Sequence, residues 1–142
     1  MDELKTVFPK SEDEAINIFC SEYQNQIKTL DGFTILCKNP HKTAIHICGG
    51  KQGKFQEVRA RYVLWPKYIL LHPDERRVLV DNKSKNFIFF LYKHKIPYAI
   101  ICSPLKDGKL NLISGFIATG KRAVDYRKGN PPYSFYIKQK SC

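Results

Sequence analysis

HICGGKQGKFQEVRARYVLWPKYILLHP, residues 46–73, is the stretch on which the reading of this chain turns. Phe55, Val58, Tyr62, Trp65 and Ile69 recur at steps of three and four, which places them along one stripe of a helix facing a core. Pro66 has no amide hydrogen and crowds the preceding turn, so the helix is expected to kink or restart near Trp65. After His72-Pro73 the helical steps give way to short β-rich runs. The same stretch carries His46, Lys51, Lys54, Arg59 and Arg61, an imidazole with fixed positive charges near it. Phosphodiester chemistry uses that equipment.

Upstream, Ser11 and Glu14 form the S-x-x-E pattern of a capping box, and Ala15, Ile16, Phe19, Tyr23, Ile27 and Leu30 follow at helical intervals. The spacing predicts a helix from Ser11 to a stop at Asp31-Gly32. Its polar side, with Asp13, Asn17, Glu22, Gln24 and Gln26, reads as a solvated face. Phe33 to Cys37 reads as a short strand, Asn39-Pro40 as a turn, and Thr43 to Cys48 as a second short strand ending at Gly49-Gly50. An alternating strand would point His46 away from Ile45 and Ile47.

Downstream, Arg77–Val80, the all-apolar Phe87–Tyr92, Tyr98–Cys102 and Leu110–Ala118 read as successive strands of a meander. Asp107-Gly108 supplies a hairpin signal, since this pair accepts the positive φ of tight turns. Beyond Gly120 come Lys121, Arg122, Arg127 and Lys128, then Gly129-Asn130-Pro131-Pro132, with Tyr133–Ile137 as a candidate edge strand. The order predicts an α+β fold, a single domain over residues 1–142 with flexible termini at 1–10 and 138–142. Its N-terminal helices pack on one face of an antiparallel β-meander. The other sheet face is expected to be open, a place for an RNA strand.

Composition narrows the function classes. The net charge is +11 on a chain that is 43% hydrophobic, so the excess charge sits on a folding sequence and favours a polyanionic partner. Nucleic acid is the first such partner, through release of condensed counterions. The five cysteines, at 20, 37, 48, 102 and 142, include no CxxC pair, which suits reduced thiols in a cytoplasmic compartment. Cys37, His41, His46 and Cys48 lack the paired knuckles of a zinc site, so neither metal nor other cofactor is expected. MDELKTVF does not read as a signal peptide, and no run reaches membrane-spanning length, so no membrane association is expected.

The succession of His46, then Arg59 or Arg61, WPKYILLHPD at 65–74, the strands FIFFLY and YAIICS, and LISGFI at 112–117 resembles the phage- and mobile-element-associated branch of the barnase, EndoU, colicin and RelE-like nuclease superfamily. The resemblance covers roughly residues 33 to 118. It implies a barnase/RelE-like fold and a metal-independent ribonuclease, a toxin or effector, that cleaves RNA by attack of the 2′-hydroxyl on the adjacent phosphorus. A cyclic phosphate and a 5′-hydroxyl are the products. It implies catalytic roles for His46 as base or acid, for Arg59 and Arg61 as phosphate clamps, and for Ser114 as a donor to the phosphate where the family commonly has threonine. His41 competes with His46 for the imidazole role. His41, Lys51, Lys54, Lys121 and Arg122 are the expected substrate-binding residues. Strict alternation puts Ser114 on the face of Leu112 and Phe116, so reaching substrate would take a bulge or a partly apolar active face. An acidic antitoxin or immunity protein is an implied partner, and the cytoplasm, of this or a target cell, the implied location. The alternatives are a non-catalytic RNA-binding module and an effector that docks on an acidic protein.

Overall fold

The computed structural model describes residues 4–23, 26–29, 32–49, 54–80, 85–91 and 96–118. In chain order these form α1 (Glu12–Glu22), β1 (Ile27–Lys28), β2 (Thr34–Leu36), α2 (Pro40–Gly49), α3 (Glu57–Ala60), α4 (Trp65–Leu71), β3 (Glu75–Val80), β4 (Lys85–Leu91), β5 (Tyr98–Pro104) and β6 (Leu110–Ile117). The fold is α+β. Its sheet has the order β1-β2-β6-β5-β4-β3. The four later strands make the expected antiparallel meander, and β2 pairs parallel to β6. At the β5–β6 hairpin Gly108 adopts φ +84°, the left-handed conformation that Asp107-Gly108 foretells.

The main core lies between helices and sheet: Ala15, Ile16 and Phe19 of α1, Ala44 and Ile47 of α2, and Trp65 and Ile69 of α4 meet Phe87, Phe89, Tyr98, Ile100, Leu110 and Leu112. On the other face Ile88, Phe90, Ala99, Phe116 and Ala118 form a second buried cluster to which no described helix contributes. This corrects the expectation of an open face for an RNA strand, because Ile88 is 0% and Phe90 2% exposed. Phe87–Leu91 is apolar at every position because both of its faces are covered.

Three local expectations need correction. α1 starts as expected, with Ser11 Oγ accepting from the Glu14 amide at 3.2 Å, but it ends at Glu22 rather than running on to Leu30. Ile27 keeps its buried place by another route, pairing with Ile35 in the β1–β2 ladder. Residues 43–48 are helix, not strand. Asn39 Oδ1 accepts from the Lys42 amide at 3.1 Å, and the Asn39 carbonyl accepts from the Thr43 amide at 3.0 Å. Asn39-Pro40 is therefore the start of α2 rather than a free turn, and Thr43, Ala44, Ile47 and Cys48 form its buried side.

The segment 55–69 is two short helices separated by a turn at 61–64, with Pro66 in the first turn of α4. The restart near Trp65 is as expected. Tyr62, Trp65 and Ile69 are buried, but Val58 is 53% exposed, because the break in the helix turns α3 away from the stripe. Of the termini expected to be flexible, residues 4–10 are tied by the Val7 amide to the Arg61 carbonyl at 3.1 Å. Residues 138–142, the candidate edge strand at 133–137 and the cationic tail after Gly120 lie outside the described residues. Among the described residues no helix is long and apolar enough to cross a membrane.

Candidate functional site

Both candidate imidazoles stand on α2 and are exposed, His41 in its first turn and His46 in its last. Five helical residues separate them by about 7.5 Å along the axis and roughly 140° around it, so they do not converge. Arg59 stands on α3 against the last turn of α2. Its Nε donates to the Ile47 carbonyl at 3.0 Å, while the Gln56 amide donates to the Cys48 carbonyl at 3.0 Å. Carbonyls of the last turn of a helix lack intrahelical donors and carry the negative end of its dipole, so a guanidinium there acts as a cap. Arg59 is half-buried in that role.

The charge of Arg59 also reaches the core. Burial pushes the Cys48 thiol up to about 11, and the Arg59 charge opposes that rise. Burial raises the Tyr98 phenol as well, with Arg59 again opposing. Arg61, two residues on, faces elsewhere: its guanidinium lies 5.3 Å from the centre of the Phe8 ring, over the N-terminal segment. The two arginines serve different neighbours.

Ser114 is on the far side of the sheet. Leu112 pairs with Cys102 and Ser114 with Ile101, so Ile113 is the extra residue of a bulge. The bulge separates Ser114 from Leu112: Ser114 stays with Phe116 on the side of the second cluster, beside Ile101, while Leu112 lies in the helix-side core. Thr43 Oγ1 donates to the Leu112 carbonyl at 3.3 Å at this irregularity. The sheet therefore separates Ser114 from Arg59 and α2. Lys54 is exposed ahead of α3, and Lys51, Lys121 and Arg122 lie outside the described residues.

The structure gathers a different set of cations at the end of the sheet where β2 runs into α2 and β5 turns into β6. An open cleft of about 490 Å³ is lined there by Leu36, Lys38, Pro104, Leu105, Lys106 and Asp107. The Lys38 amide donates to Asn111 Oδ1 at 3.0 Å, which fixes the β2–α2 loop against β6. α2 begins two residues later and has no acidic residue in its first turn, only exposed His41 and Lys42. Among the described residues the one carboxylate lining the cleft is Asp107, which accepts from the Lys109 amide at 3.2 Å and lies 3.8 Å from Lys109 Nζ within the hairpin. Lys38, Lys42 and Lys106 make no ion pair among the described residues.

His41 was among the expected substrate-binding residues, but Lys38, Lys42 and Lys106 were not. Two signals mark the set: lysines on both sides of an Asn-Pro helix start, and lysines on both sides of an Asp-Gly turn. Among the described residues no group of three histidine, cysteine or acidic side chains is placed to hold a metal ion. Compared with family models, curated proteins and solved structures, the chain matches none.

Proposed function

We propose that the chain binds RNA through its phosphate backbone at the end of the sheet carrying Lys38, His41, Lys42 and Lys106. The observation that carries this reading is a cleft whose rim lysines have no carboxylate partner among the described residues, while its one acid is engaged by Lys109. Like charges left close together on a folded surface cost stability unless a partner neutralises them, and a phosphate chain releases counterions on doing so. The positive end of α2 adds to the same field. Fluorescence anisotropy with labelled RNA tests it. Affinity is expected to fall steeply between 50 and 200 mM salt, by an amount on the order of tenfold or more for a few phosphate contacts. A Lys38→Ala, Lys42→Ala, Lys106→Ala triple variant is expected to bind weakly with a shallower salt slope. Native-like binding by that variant would refute the location.

A second reading is the metal-independent endoribonuclease, a toxin or effector of barnase/RelE-like type whose acidic inhibitor would cover the same cations. The supporting observation is Arg59, a half-buried guanidinium without a carboxylate partner among the described residues, next to a helix whose histidines face solvent. Catalysis through it requires His41 or His46 as base or acid and cannot use Ser114, which is across the sheet. Incubation with mixed RNA and EDTA distinguishes the two. Cyclic phosphate ends that vanish in a folded His41→Ala or His46→Ala variant select the nuclease, and salt-sensitive binding without cleavage selects the binding module.

A further inference from the structure

We infer that the cleft between the β2–α2 loop and the β5–β6 hairpin takes one unpaired nucleotide, so that the chain selects single-stranded RNA over duplex. This rests on the RNA-binding reading and deepens it. The lining divides by chemistry: Leu36, Pro104 and Leu105 are apolar, Lys38 and Lys106 stand beside them, and Asp107 lies 3.8 Å from Lys109 Nζ. A surface meant only for a duplex backbone needs the cations alone, because the bases of a duplex are stacked and offer only their edges. An unpaired nucleotide offers both an apolar base face and a phosphate, and the cleft presents a counterpart to each.

The volume agrees. About 490 Å³ is within the range of small-ligand sites. The walls are also fixed in place. The Lys38 amide is tied to Asn111 on β6, and the hairpin is closed by the Leu105 amide on the Lys109 carbonyl at 2.8 Å and the Gly108 amide on the Leu105 carbonyl at 3.2 Å. A site already formed spends little of its binding free energy on ordering itself.

The test compares a labelled single-stranded RNA 12-mer with a hairpin duplex by anisotropy, for the native chain and for Leu105→Ala and Lys106→Ala. The native chain is expected to prefer the single strand. Leu105→Ala should weaken single-strand binding about tenfold, the loss expected when an apolar contact of one leucine is removed, with the salt slope and duplex affinity unchanged. Lys106→Ala should instead lower the salt slope by roughly 0.7. Circular dichroism melts confirm that each variant is folded, and Leu105→Met, which keeps the apolar wall, should bind as native does. Equal affinity of the native chain for both RNAs, or single-strand binding unaltered in Leu105→Ala, overturns the nucleotide site while leaving backbone binding intact. No binding of either RNA by the native chain overturns both.

Discussion

Tyr23 closes the C-terminal end of α1 with its ring stacked on Phe19, centroids 4.3 Å apart, and its hydroxyl is buried without a hydrogen-bond partner among the described residues. A buried hydroxyl left unpaired forfeits its hydration without replacement. Tyr23→Phe is therefore expected to stabilise the chain by on the order of 1 kcal/mol in urea denaturation, and destabilisation would point to a partner for the hydroxyl. Arg59 behaves in the opposite sense. Arg59→Ala removes the donor to the Ile47 carbonyl and the charge that complements the α2 terminus, at an expected cost of about 1–2 kcal/mol. Arg59→Lys should restore only part of that loss, since a single ammonium point charge does not reproduce the planar Nε–H geometry. At this scale the sequence was half legible. Its spacing singled out Arg59, but nothing in a linear pattern distinguishes a guanidinium that caps a neighbouring helix from one that grips phosphate.

Among the elements, α2 was read as a strand, and its start shows why. Thr43, Ile45 and Ile47 alternate like a strand, yet Asn39 and Pro40 before them are a helix beginning, and the capping hydrogen bonds prevail. Asn39→Ala should cost about 1 kcal/mol in denaturant and should also loosen Lys38 beside the cleft, weakening RNA binding more than its distance from a phosphate would suggest. Asn39→Asp, an equally good cap, should preserve stability; its added carboxylate at the cationic end should still lower RNA affinity. The strands of the meander were legible because short apolar runs such as FIFFLY are bounded by turn chemistry, Asp107-Gly108 above all. β1 was not legible, since a two-residue strand is created by its pairing partner β2 and has no pattern of its own. Likewise the covering of the second sheet face follows from tertiary packing, although FIFFLY, apolar on both sides, already hinted at it.

For the whole molecule, burial of ionisable groups sets a pH limit. Burial raises the Cys48 thiol from 9.0 to about 11 and raises Cys102, Tyr23 and Tyr98 in the same direction. These groups are neutral when protonated, and the folded chain holds their protons more tightly than the unfolded one. The stability that Cys48 contributes is therefore fully present below pH 9.0 and is lost as the pH rises from there through about 11, while the other three, raised further, extend the loss to still higher pH. Urea midpoints measured at constant ionic strength should be level up to about pH 9 and fall beyond it. A decline beginning near neutrality would show that other groups dominate. The net charge of +11, legible from composition alone, favours an anionic partner; the proposed cleft is visible only in three dimensions, because Lys38 and Lys106 are brought together by strands far apart in the chain.

The parallel seam of β2 with β6 has a consequence for biosynthesis. Ile35 and Leu36 find their ladder partners in Leu110 and Asn111, so the amino-terminal third must wait on the ribosome until the last described strand has emerged. Until then β2 and β5 each hold a raw edge, and a chain truncated before Leu110 should be prone to proteolysis.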